Sequence, residues 1–222
     1  MTLQTTIDMV LVLTILLDLA ILAVGRLVTG VRIFATQSFL LALLPLLGAA
    51  LHGEGLSLHA PLIAAGTVAL KMLLIPYILI RIVRTGEIHA EITPLLGFTA
   101  SVFVGAVLVA ASFGVAARLA MPPSLAPMSS FVVPAALSTL LIGLLMLITR
   151  VNAITQVLGF LFVENGIFTF GLTLLKSMPL LVELGILLDV FVGVFIMAIV
   201  VYHIRREFDH MDTDALAKVE GH

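Results

Sequence analysis

Four ionisable residues, Glu164, Asp189, Lys71 and Asp18, are each embedded in a long apolar run. A charge near the centre of a membrane span costs roughly 2.5 to 3.5 kcal/mol even on a lenient insertion scale, so residues kept there usually mark a proton or ion path. Away from water the proton affinities of an amine and a carboxyl converge, and a neighbouring Lys and Glu or Asp can then exchange a proton with a small change of surroundings. That is relay chemistry, and Glu164, Asp189 and Lys71, with Asp18 as a lesser member, are its candidates. The first three fall within about three residues of the middle of their runs, some 5 Å at the helical rise.

The elements that must position these residues follow from composition. Of 222 residues, 61% are hydrophobic and only 11% charged, whereas about a quarter are charged in soluble domains. The chain is read as an all-α, polytopic membrane protein. A span needs about 20 mostly apolar residues, and by that measure there are seven: 3–24, 33–51, 58–83, 94–117, 131–149, 154–175 and 180–203. Residues 1–204 then form the transmembrane domain and 205–222 a polar tail. Spans one and two, around Gly25 and Arg26, echo spans five and six, around Arg150 to Asn152. Each pair is followed by a span with one central charge, Lys71 or Asp189, which suggests a parallel repeat of 1–84 and 131–204 joined by helix 94–117.

Basic residues orient the chain, because short loops rich in Lys and Arg stay cytoplasmic. Arg26, Arg32, Arg81, Arg84, Arg150, Arg205, Arg206 and Lys218 follow odd-numbered spans, against Arg118 and Lys176 after even-numbered ones. The expected topology places the N-terminus outside and the C-terminus in the cytoplasm, which puts Asp18 slightly toward the cytoplasmic side of its span.

Asp8, His59, Lys176 and Glu183 lie near the outer ends of their spans and read as headgroup anchors. Lys71 fits either a relay or a structural ion pair with a carboxylate on a neighbouring helix. Pro76, one turn later, cannot donate to the Met72 carbonyl, which implies exposed backbone polarity and a kink beside the lysine. Pro45 does the same for Leu41. Asn165 and Gln37 read as interhelical hydrogen-bond partners, since amides do not titrate. Gly166, Gly171, Gly185 and Gly193 read as points of close helix approach.

Other functions find no support. The absence of cysteine excludes disulfides and thiolate-held metals or clusters in this chain,. A net charge of −2 offers no basic surface for nucleic acid,. Phosphate loops, serine elbows and dinucleotide fingerprints are missing.

The run LITRVNAITQVLGFLFVENGIFTFGLTLL and the later VELGILLDVFVGVFIMAIVVYHIRR resemble component E of hydrogenase-4, a membrane subunit of formate-hydrogenlyase-like group 4 nickel-iron hydrogenases. The last three spans also resemble the K subunit of complex I and the equivalent small subunit of multisubunit antiporters. In that family two membrane glutamates on neighbouring helices belong to the proton-carrying hydrophilic axis. Asp189, four residues before Gly193, matches the second of them. Leu161 stands at the first, and Glu164 follows three residues later, near the same helix face and about one turn along.

The resemblance implies a non-redox subunit of a complex I-like hydrogenase in a bacterial or archaeal cytoplasmic membrane. It would pass protons between the redox arm and antiporter-like subunits, with no cofactor of its own. The nickel-iron site and iron-sulfur clusters would belong to partner subunits, including the hydrogenase large and small subunits. Two rivals stand beside this reading, a subunit of a multisubunit Na+/H+ antiporter and a structural scaffold without proton transfer.

Overall fold

The computed structural model describes residues 2–51, 59–85, 96–119, 128–150 and 152–172. Its elements there are helical: α1 (Leu3–Ala23), α2 (Leu27–Leu51), α3 (His59–Thr67), a π-helical segment (Val68–Leu74), α4 (Ile75–Thr85), α5 (Phe98–Ala116), α6 (Val132–Thr149) and α7 (Ala153–Gly171). Six helical stretches among the described residues are long and apolar enough to cross a membrane, one of them Ala64–Arg81 through the π segment. The expected seventh span, with Asp189, Lys176, Glu183, Gly185 and Gly193, lies outside the described residues, as does the 205–222 tail.

One helix start and one arginine depart from expectation. α2 starts at Leu27, so Arg32 is not in a connection but on the second turn of the helix, where it is exposed. A long arginine at a helix end can carry its charge outward while the backbone stays helical. Arg150, counted above as a loop charge, is 1% exposed.

Apart from α4, which is amphipathic, the helices carry their apolar residues all round, which leaves the buried face to be set by packing and by the few polar groups. α1 and α6 run in the same direction. At one end the Gln4 side chain donates to the Met128 carbonyl (2.9 Å) and Asp8 pairs with Ser129. At the other, Arg150 Nη2 donates to the Leu22 carbonyl (3.1 Å). α2 returns after Val24–Arg26 and α7 after 150–152, and Val24 and Arg150 are both extended at the C-caps of their helices.

α6 and α7 approach most closely. A Cβ added at Gly166 would fall 2.6 Å from the Leu140 nitrogen, and one at Gly143 would fall 2.5 Å from the Val163 nitrogen. Backbone therefore packs on backbone, the role small residues take between helices in lipid. Gly171, expected to do the same, has nothing within 4 Å of such a Cβ.

Two apolar clusters fill the bundle. One joins Ile7, Leu11, Ile15, Leu41, Leu44 and Val132. The other joins Leu22, Phe34, Ile75, Leu79, Met146 and Phe162, where the Phe34 and Phe162 rings lie 6.1 Å apart between α2 and α7. Along α1, α2, α6 and α7, Asp18, Gln37, Ser38, Thr139, Glu164 and Asn165 are buried between the two clusters. Asp18 separates Ile15 from Ile21, Gln37 and Ser38 separate Phe34 from Leu41, and Thr139 separates Ala135 from Ile142. The result is one polar layer at mid-height.

Candidate proton-transfer site

Lys71 enters the layer from the π segment. There the Ile75 N–H reaches the Leu70 carbonyl, an i to i−5 bond, and Pro76 follows with no N–H to give. The expected disturbance beside Lys71 thus takes the form of a widened turn, a feature often found at functional positions. Lys71 Nζ stands 3.5 Å from Glu164 Oε1, with the two side chains 1% and 3% exposed. It also donates to Asn165 Oδ1 (3.3 Å) and lies 5.5 Å from the centre of the Phe168 ring.

From Asn165 the network crosses the bundle. Asn165 Nδ2 donates to Gln37 Oε1 (3.1 Å) and to Ser38 Oγ (3.3 Å), and Gln37 Nε2 donates to Asp18 Oδ1 (2.7 Å). The chemistry at one end fixes how the amides point. An ammonium group only donates, so Asn165 must turn its oxygen to Lys71 and its nitrogen to Gln37. Gln37 then presents its own nitrogen to Asp18. Two aligned amide dipoles join the lysine to the aspartate.

The far oxygen of Asp18 meets a hydroxyl suited to both charge states. Thr139 Oγ1 is 2.7 Å from Asp18 Oδ2 and 2.9 Å from the Ala135 carbonyl. One hydroxyl has one proton. When Asp18 is ionised, Thr139 donates to it. When Asp18 carries its proton, the carboxyl donates to Thr139 and the hydroxyl turns to Ala135. With Lys71 charged, the network as a whole is neutral when one of its two carboxyls keeps a proton.

Lys71, Glu164 and Asp18 are thus brought into one buried layer, whereas Asp189 lies outside the described residues. The sequence reading missed Thr139 and Ser38. Nothing in an apolar helix distinguishes an inward hydroxyl from one bonded to its own backbone, as Ser112 is to Leu108 (2.8 Å),. Gln37 and Asn165 are interhelical partners, and through them a side-chain connection runs from Asp18 to Lys71. Among the same residues, no group of three His, Asp or Glu side chains forms a metal-ligand cluster.

No family model matches the chain, and no solved structure matches it. The uncharacterized protein Rv0085 of Mycobacterium tuberculosis is 33% identical over 193 residues, covering 85% of this chain and 84% of that one. Hydrogenase-4 component E of Escherichia coli is 27% identical over 154 residues, 68% of this chain and 69% of that protein, and the Shigella flexneri protein of the same name gives the same values. The distant similarity to component E read in the sequence is therefore present over two thirds of the chain.

Proposed function

For a chain that belongs to one family with Rv0085 of Mycobacterium tuberculosis, we propose the role of a non-redox membrane subunit in a complex I-like hydrogenase assembly, carrying part of a proton path. The observation that carries this reading is the buried Lys71–Glu164 pair, joined through Asn165 and Gln37 to Asp18. The similarity to hydrogenase-4 component E supports the kind of assembly, and six apolar helical stretches support a multi-pass membrane protein.

In this reading the Lys71–Glu164 pair exchanges the proton, because the two groups are adjacent and both titrate. Asp18 senses that exchange through the aligned amides, which transmit polarity and do not carry protons themselves. Asp189, on a seventh span, continues the path toward a neighbouring subunit. The N-terminus lies outside and the C-terminus in the cytoplasm, so the Arg26, Arg81 and Arg150 end faces the cytoplasm. Antiporter-like subunits and the hydrogenase large and small subunits are the partners, and the nickel-iron site and clusters reside in them.

The test uses the intact complex in proteoliposomes. Glu164→Gln together with Asp189→Asn should lower proton translocation, or the turnover coupled to it, by about tenfold or more while assembly persists. Unchanged rates in the double variant would make this a scaffold. Proton movement driven by a sodium gradient without hydrogenase subunits would make it an antiporter subunit.

A further inference from the structure

Arg150 is buried, and two of its nitrogens, Nε and Nη1, have no hydrogen-bond partner. Its Nη2 donates to the Leu22 carbonyl in the last turn of α1 (3.1 Å), and its guanidinium carbon lies 5.7 Å from the centre of the Phe98 ring. Phe98 is the first residue of α5, a helix of 19 residues whose N-cap, Gly97, provides no side-chain hydrogen bond. The arginine's unbonded nitrogens therefore lie beside the first residue of a helix that has no side-chain cap. A helix N-terminus and an arginine both favour an anion there.

Among the described residues the surroundings supply no counter-charge. The acidic residues among those described are Asp8, Asp18 and Glu164. Asp8 pairs with Ser129 at the opposite end, and the other two belong to the mid-height layer. Arg26 and Arg32, at the same end as Arg150, are exposed and add positive charge around it. Leaving a buried cation unpaired is costly.

Outward from this point α5 presents bare hydrocarbon. Phe98 is 38% exposed, Phe103 70% and Val107 53%, and only Ser101, Gly105 and Ser112 of the helix are buried. An amphiphile fits both halves, its anionic head at Arg150 and the α5 start and its chains along the exposed face. We infer that the Phe98 ring is the movable cover of a binding site for an anionic phospholipid, whose phosphate pairs with Arg150 and the N-terminus of α5. Basic sites between helices at a membrane surface are suited to such headgroups. This site stands apart from the proton path and does not depend on it.

The test measures thermal unfolding of the full purified chain, and the lipid it retains, in phosphatidylcholine with or without phosphatidylglycerol and with inorganic phosphate as the free anion. The wild type should retain phosphatidylglycerol over phosphatidylcholine by about fivefold or more and unfold at a higher temperature with it. Inorganic phosphate should have no such effect. Arg150→Gln should lose both responses. Gly97→Asp places a carboxylate at the N-cap where a Cβ meets nothing within 4 Å, with φ −52° and ψ 155° open to any residue. It should raise stability in phosphatidylcholine alone and abolish the lipid preference, which keeps the test decisive even if Arg150→Gln does not fold. An undiminished preference in Gly97→Asp would overturn the proposal, as would equal stabilisation by inorganic phosphate. A wild type that retains phosphatidylglycerol no better than phosphatidylcholine would overturn it as well.

Discussion

Lys71 and Arg150 are both buried cations, and the protein serves them in opposite ways. Lys71 has a carboxylate at 3.5 Å, an amide oxygen at 3.3 Å and an aromatic face. Arg150 has one backbone carbonyl, one ring and two nitrogens without hydrogen-bond partners. The lysine sits at mid-height between two apolar clusters, and its counter-charge comes from Glu164 of the same chain. The arginine sits at the start of α5, where headgroups can supply one. Depth separates a closed network from an open site.

The largest expected effect breaks the closed side of that contrast. Lys71→Met removes the cation 3.5 Å from the buried Glu164 carboxylate, and removing one partner of a buried pair typically destabilises by about 3 to 5 kcal/mol. Unfolding in detergent should show a loss of this size, and adding Glu164→Gln should recover most of it because the buried negative charge is gone. Equal losses in the single and double variants would mean that Lys71 contributes by packing and not by pairing.

A smaller effect tests how the pair is held. Gly166→Ala sets a methyl group 2.6 Å from the Leu140 nitrogen. The backbone of α6 has to yield, at about 1 to 3 kcal/mol for overpacking, and Asn165, its immediate neighbour, moves with it. Gly171→Ala is the control. With nothing within 4 Å, it should be neutral or gain up to about 1 kcal/mol of helix propensity. Thermal unfolding of both variants measures the difference, and matched losses would remove the packing account of Gly166.

How much of this could be read in the sequence depends on what each residue reveals on its own. α1 was expected at 3–24 and runs Leu3–Ala23, and α6 was expected at 131–149 and runs Val132–Thr149. Hydrocarbon thickness sets those lengths. The central placing of Lys71 and Glu164 was legible because charge contrasts with apolar surroundings, although their pairing was one of two readings. Helix rotation was not legible, since helices apolar all round show no periodicity to phase. Hence Gly171 was grouped with Gly166, and Arg150 was counted as a loop charge although the end of α1 and the start of α5 enclose it. The bridging role of Gln37 needed the rotations of α1, α2 and α7 together.

The smallest effect bears on what the network transmits. Asn165 Nδ2 has two N–H groups, one for Gln37 Oε1 and one for Ser38 Oγ. Ser38→Ala removes the second acceptor, for a loss of about 0.5 to 1.5 kcal/mol, but leaves the amide chain and its direction intact, because Lys71 still fixes the Asn165 oxygen. If Asp18 is coupled to Lys71 through aligned amides, proton translocation by the complex should be almost unchanged. Gln37→Leu, which cuts the amide chain, should lower it markedly. The contrast is sharp because Ser38 carries a hydroxyl that can accept and donate a proton by rotation, which neither amide does. A Ser38→Ala variant as impaired as Gln37→Leu would place the proton on the hydroxyl and turn the bridge between Asp18 and Lys71 from a conductor of polarity into a conductor of protons.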